Sequence, residues 1–92
     1  MDINLNDIAL YVEVVRRKSF TSASKALGIP LSTLSRRITE LERTIGTRLL
    51  NRTTRRLDLT SGGSFYYQRC RRLVEKLSVA HEGIAELRDK SK

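Results

Sequence analysis

The last third of the sequence most constrains the fold, because its apolar residues repeat at alternating spacings of four and three. Such a repeat is typical of a helix that packs along one seam against another helix. The seam consists of Tyr66, Cys70, Leu73, Leu77, Ala80, Ile84 and Leu87. A helix of about 28 residues, at about 1.5 Å per residue, is about 42 Å long. Most of it cannot pack on a small domain, so the seam predicts a dimerisation helix.

The first segment of the chain shows a shorter amphipathic stripe. Its apolar positions are Leu5, Ile8, Val12 and Val15. Their spacings of three, four and three predict a helix over about 5–18 that buries this stripe, with Asn4 or Asn6 as its N-cap. A break at 18–20 follows. We expect Thr21 to cap a short second helix that ends at Gly28. Its expected inward face is Ala23, Ala26 and Leu27.

A third stripe follows Pro30, which is the single proline of the sequence. Its apolar positions are Leu34, Ile38, Leu41 and Ile45. They predict a helix over about 31–45 that Gly46 ends, with polar and basic residues on its outer faces. Because proline has no capping oxygen, Ser32 is the remaining candidate for the cap.

Between Arg48 and Thr60 the apolar period shifts toward two, which predicts a short two-stranded hairpin with arginines near its tip. Gly62 and Gly63 then begin the long helix. Because glycine weakens a helix, we expect this junction to act as a hinge. The predicted fold class is mostly α: three helices and a two-stranded wing over 1–60, followed by a long linker helix over 61–92.

Charge indicates the kind of partner. The chain has 92 residues, 18 Lys and Arg against 10 Asp and Glu, and a net charge of +8. Residues 1–20 are neutral, residues 21–60 carry +5 and residues 61–92 carry +3. Such basicity favours a polyanion such as nucleic acid. A basic helix can enter the major groove, and hairpin arginines can reach a narrow minor groove. The pattern therefore indicates a DNA-binding winged helix-turn-helix.

The run from Ser19 to Thr60 resembles the N-terminal domain of the LysR-type transcriptional regulators. The most specific parts are Ser19-Phe20-Thr21, Leu34-Ser35-Arg36 with Ile38, Leu41-Glu42, Gly46, and Leu49-Leu50 to Arg52-Thr53. The resemblance implies a bacterial, cytoplasmic regulator that binds promoter DNA as a homodimer, or as a tetramer in full-length members, at an interrupted inverted repeat. It also implies an effector-binding domain, which we expect to be absent from this chain.

The resemblance and the pattern together give a set of candidate DNA contacts: Thr21, Ser22, Leu31, Ser32, Thr33, Ser35, Arg36, Arg37, Arg52, Arg55 and Arg56. We expect Ser35 and Arg36 to contact bases or phosphates, and Arg52 to contact phosphate. Ser32 and Thr33 could instead act as caps, and Arg37 could pair with Glu40. Leu31, where many relatives have a polar residue, could contact only a thymine methyl group.

The sequence lacks the residues that metal sites, disulfides, membrane spans and catalytic sites need. With one cysteine and one histidine, the sequence offers neither an internal disulfide nor metal-ligand spacing, and we expect no cofactor. Cys70 is expected to be a buried apolar residue rather than a redox sensor. No apolar run approaches the roughly 20 residues that span a bilayer, and no catalytic set is present. The alternative to DNA binding is a basic coiled-coil adaptor that binds another protein.

Overall fold

The computed structural model describes residues 3–53 and 56–90 of the chain. Four helices and two strands follow one another in this order: α1 (Leu5–Arg17), α2 (Phe20–Leu27), α3 (Leu31–Ile45), β1 (Leu50–Arg52), β2 (Leu57–Leu59) and α4 (Ser61–Lys90). The strands pair antiparallel as the wing, with Leu50 opposite Leu59 and Arg52 opposite Leu57. The predicted fold class is confirmed. The described chain measures 51 × 28 × 20 Å along its principal axes, and the long dimension reflects the length of α4.

Local capping explains where α1 and α2 begin and where α2 and α3 end. Asn4 caps α1, since its side chain accepts from the backbone of residues 6 and 7, as predicted. For α2 the prediction of Thr21 is wrong: Ser19 is the N-cap and accepts from the Ser22 amide at 3.0 Å. Gly28 and Gly46 end α2 and α3 with φ of 70° and 81°, the left-handed region that glycine adopts at least cost.

The core lies where α1, α2, α3 and the wing meet. Its buried residues are Tyr11, Val14, Ala23, Leu34, Ile38, Leu41, Leu49 and Leu50. The α3 stripe is thus confirmed at Leu34, Ile38 and Leu41, whereas Ile45 is partly buried. We call this core together with α1, α2, α3, the wing and the first part of α4, to Cys70, the head.

The α1 stripe differs from its prediction. Leu5 is 72% exposed, and Ile8 and Val15 are partly buried. Val12 is buried as predicted, and the other buried apolar side chains of α1 are Tyr11 and Val14. The reason is that α2, α3 and α4 all pack on α1 and cover a wide arc of its surface. The face of α2 was also too broad in the prediction, since Ala23 is buried but Ala26 and Leu27 are exposed.

The seam of α4 divides in two. Cys70 is buried against the head and Tyr66 is half-buried on the core, so both pack within their own chain. Beyond them Leu73, Leu77, Ile84 and Leu87 are 60–67% exposed, and Ala80 is exposed too. We call these five residues the distal seam. Within the described residues, no helix is long and apolar enough to cross a membrane.

Gly63, at the junction that the sequence predicted to be a hinge, is packed against the core. It is buried, and an added Cβ would lie 2.0 Å from the carbonyl oxygen of Leu49. The Tyr11 hydroxyl donates to the Gly63 carbonyl at 2.9 Å. Glycine is needed here because backbone approaches backbone, and the contact fixes α4 to the head.

Candidate nucleic-acid interface

The outer face of α3 carries most of the predicted contacts. Leu31, Ser32 and Arg36 are exposed, whereas Thr33 and Ser35 are half-buried. The opposite face of the helix is held in the core, so this side points away from the core. No side-chain hydrogen bond caps α3 at Pro30, and the expected cap by Ser32 is not formed. Polar groups and the helix N-terminus therefore share one surface that suits an anionic partner.

Two neighbouring arginines on α3 have different partners. Arg36 lies 3.6 Å from Glu40 one turn on, and both side chains are exposed. Arg37 instead donates through Nε to Asp7 of α1 at 2.7 Å. Of the alternatives left open for Arg37, the pair with Glu40 is not formed, and Glu40 pairs with Arg36. Asp7, which the pattern missed, is 7% exposed, so its contact with Arg37 joins α1 to α3 inside the head.

Arg52 lies between the wing and α3. It donates through Nη1 to Ser35 Oγ at 2.8 Å and through Nη2 to Thr39 Oγ1 at 3.4 Å. Its Nη2 lies 3.6 Å from a Glu42 oxygen, and its guanidinium lies 4.6 Å from the centre of the Phe20 ring. We call Arg52 with these four partners the Arg52 clamp. Its guanidinium faces protein groups, which differs from the expected phosphate contact.

Glu42, near the end of α3, is a structural residue. Its Oε2 accepts from the backbone amides of Leu49 at 2.7 Å and Leu50 at 3.1 Å. These bonds fix the entry to the wing on the end of α3. The signal for this role was present in the Leu41-Glu42 motif, but the partner amides lie seven and eight residues later.

The wing presents arginine to solvent. The Arg56 side chain is 75% exposed and lies 3.6 Å from Asp58. A turn is closed where the Thr53 amide donates to the Arg56 carbonyl at 3.0 Å and the Arg56 amide donates to Thr53 Oγ1 at 2.9 Å. Arg55, the other predicted wing contact, lies outside the described residues.

The start of α2 is less open than expected. Thr21 is exposed, but the Ser22 amide donates to Ser19 and is not available to a phosphate. The Ser22 hydroxyl accepts from Arg17 at 3.4 Å. Thr21 therefore remains the candidate contact at this helix, and Ser22 serves the cap.

The described residues hold no group of three or more His, Cys, Asp or Glu that could bind a metal. The arrangement consists of an exposed polar helix face, an uncapped helix N-terminus and a projecting basic hairpin. This surface can bind an extended anion.

Residues 5–64 match the family model described as the bacterial regulatory helix-turn-helix protein, lysR family. The chain belongs to the LysR family.

Comparisons with individual proteins agree. This LysR-family chain is 42% identical over 87 residues to an HTH-type transcriptional regulator of Xanthomonas campestris, covering 95% of the chain and 25% of the relative. The chain thus spans about a quarter of the length of the curated relatives it matches.

Solved structures extend the likeness to the fold. The full-length Vibrio cholerae virulence activator AphB is 43% identical with a TM-score of 0.85, covering 89% of this chain and 28% of AphB. The BenM DBD in complex with catB site 1 DNA is 32% identical with a TM-score of 0.82, covering 92% of this chain and 96% of that one. The second comparison matches the LysR-family chain over nearly the whole of a DNA-bound fragment.

The junction of α1 and α4 lies apart from the candidate interface. Burial raises the pKa of the Cys70 thiol and raises the pKa of Tyr66 to about 12. Both groups are neutral near pH 7. Cys70 is therefore a buried, uncharged residue of the LysR-family head, which confirms the predicted burial.

Proposed function

We propose that this chain is the part of a bacterial LysR-type transcriptional regulator that binds double-stranded promoter DNA in a sequence-specific manner. The observation that carries the proposal is the exposed face of α3, where Leu31, Ser32 and Arg36 project opposite a buried apolar stripe. A helix of this kind fits the major groove, and its polar side chains reach base edges there.

Apart from Ser22 and Arg52, whose described contacts are with protein groups, each candidate residue has a place in this proposal. Ser32, Thr33, Ser35 and Arg36 face the major groove, and Leu31 offers apolar contact. Thr21 at α2 and Arg56 on the wing contact the DNA backbone or the neighbouring groove, and Arg55 would act beside Arg56. Arg37 acts indirectly, because its bond to Asp7 fixes α3 on α1.

The proposed partners beyond DNA are a second copy of the chain and, in a full-length regulator, an effector bound by a further domain. Pairing of two distal seams would make a homodimer, whose two heads read two half-sites. Dimers of dimers would give a tetramer. We place the protein in the bacterial cytoplasm, with no catalytic residue and no cofactor.

The alternative is an adaptor that binds protein through the distal seam and has no specific DNA readout. The distal seam supports it equally well. The DNA-bound BenM fragment and the exposed polar face of α3 favour the first proposal.

Salt dependence of duplex binding tests the two proposals. A protein with six to ten phosphate contacts loses about three to five orders of magnitude in affinity between 50 and 200 mM salt. We expect a steep loss for this chain, measured by fluorescence anisotropy. A weak affinity with a shallow salt dependence would favour the adaptor.

Arg36→Ala tests the role of α3. Because Arg36 is exposed on the proposed reading face, we expect about a tenfold or greater loss on a selected duplex and a smaller loss on a random one. Arg88→Ala is the matched control, since Arg88 is a 73% exposed arginine near the far end of α4. Equal losses on both duplexes would show that Arg36 contacts phosphate alone.

A further inference from the structure

The Arg52 clamp joins the three parts of the proposed reading surface. Arg52 belongs to β1, Phe20 to α2, and Ser35 to α3. The Arg52 side chain is 30% exposed, and its contacts with protein groups occupy both terminal nitrogens. An arginine held in this way has little freedom to follow a phosphate, since its fork is already matched to fixed acceptors.

We propose that Arg52 is a positioning residue that makes the Ser35 hydroxyl a hydrogen-bond donor toward DNA. The inference rests on the proposed function. A guanidinium has donors and no acceptor, so the 2.8 Å contact requires Ser35 Oγ to accept. The single hydroxyl proton of Ser35 is then directed away from Arg52.

Thr39 shows the bond that Ser35 does not make. A serine or threonine within a helix commonly donates to the carbonyl four residues earlier. Thr39 does so, to the Ser35 carbonyl at 3.0 Å, while its oxygen accepts from Arg52. Among the described residues, Ser35 Oγ makes no such bond to a carbonyl. Its proton is therefore available to an external acceptor on the reading face.

The chemistry of the partner follows from this polarity. A donating hydroxyl suits the acceptors on a major-groove edge, which are N7 and O6 of guanine, N7 of adenine and O4 of thymine. A phosphate oxygen offers the same chemistry without sequence information. The amino group of cytosine is a donor, so it would not accept the Ser35 proton.

The wing supplies a matched control arginine. Arg56 carries the same charge as Arg52, but its side chain is 75% exposed and its described ion-pair partner is Asp58. Removing an arginine that binds phosphate lowers the slope of log affinity against log salt by about one. Removing a positioning residue leaves that slope unchanged and reduces selectivity through Ser35.

The test is a double-mutant cycle on DNA affinity. Arg52→Met, Ser35→Ala and the double variant are measured on a duplex selected from a random pool and on a scrambled duplex, over a range of salt. We expect each single variant to lose about tenfold in affinity for the selected duplex. We expect the affinity loss of the double variant to be no larger than that of either single variant. We expect the salt slope of Arg52→Met to equal that of the parent chain.

Arg56→Met is expected to lower the slope by about one and to add its loss to that of Ser35→Ala. Arg52→Lys keeps the positive charge without the forked guanidinium, and we expect it to lose as much affinity for the selected duplex as Arg52→Met does. It also serves if Arg52→Met does not fold, which circular dichroism reports.

The outcomes separate the two proposals. A coupled loss that is larger on the selected duplex supports a base acceptor, and a coupled loss equal on both duplexes supports a phosphate acceptor. Additive losses, or a slope lowered by about one in Arg52→Met, would overturn the positioning role while leaving DNA binding intact. A parent chain that does not distinguish the two duplexes would overturn the proposed function itself.

Discussion

The head and the distal half of α4 carry similar apolar stripes with opposite outcomes. In the head, Leu34 and Ile38 of α3 are fully buried. In the distal seam, Leu77 and Ile84 are 65% and 67% exposed. The spacing of apolar residues is nearly the same in both, so the difference lies in what surrounds each helix. The comparison teaches that a stripe predicts a helix and its apolar face, while the topology decides whether the chain covers that face itself.

Glycine substitution should separate the two regions most strongly. Gly63→Ala places a Cβ against the backbone of Leu49, and we expect a loss of at least about 3 kcal/mol in the free energy of unfolding. Gly83→Ala is the control, because nothing lies within 4 Å of its added Cβ. It should stabilise α4 by up to about 1 kcal/mol. Urea denaturation measures both, and equal effects would erase the contrast.

A charge on the distal seam should break assembly without damaging the head. We expect Leu77→Glu to weaken self-association at least about 100-fold, because a carboxylate would be desolvated between helices. Val79→Glu is the matched control, since Val79 is 66% exposed on the same helix but lies off the seam. Sedimentation velocity over a concentration series checks the result. An unchanged dimer in Leu77→Glu would contradict pairing through this seam.

The contribution of an ion pair to stability should also differ between the head and the distal part of α4. Asp7→Asn leaves Arg37 without its charged partner in the head, and we expect a loss of about 1–2 kcal/mol in the free energy of unfolding. Glu75→Gln removes the exposed pair with Arg71 on α4 and should cost about 0.3–0.5 kcal/mol. Chemical denaturation of both variants measures the two losses. A larger loss for Glu75→Gln would contradict the expectation that the ion pair in the head contributes more stability.

The smallest expected effect is the pH dependence that Glu13 confers on α1. Burial alone would raise its pKa, but hydrogen bonds from Arg17 and Arg16 outweigh burial and lower the pKa below its usual value. Because the folded pKa is depressed, the stability from Glu13 is present above the usual pKa of glutamate and is lost as the pH falls through the folded value. We expect Glu13→Gln to lose a few tenths of a kcal/mol at pH 7 and less near pH 2. Urea midpoints at the two pH values check this.

The sequence predicted the elements well because caps and stripes are local signals. The bounds of α3, the glycine ends of α2 and α3, and the wing follow from residues close in sequence. The contacts that fix the site are not local: Asp7 meets Arg37 thirty residues away, and Arg52 meets Ser35 seventeen residues away. An exposed-looking arginine gives no sign in the sequence of whether its partner is solvent, phosphate or another side chain.

The burial of α4 is a second feature that the sequence pattern could not predict. Tyr66 and Cys70 fit the heptad as well as Leu77 does, yet they pack on the head. The close contact of Gly63 with Leu49 begins α4 against the core, so the first part of the helix is covered and the later part is not. A period read along one helix cannot show where a neighbouring element ends.

The central claim is that the head reads DNA and the distal seam sets how two heads are spaced. Selection of bound sequences from a random duplex pool, done in parallel on the parent chain and on Leu77→Glu, tests it most directly. We predict that the parent returns an interrupted inverted repeat and that Leu77→Glu returns one copy of the same half-site. Recovery of no motif, or of the same inverted repeat from both proteins, would contradict the claim.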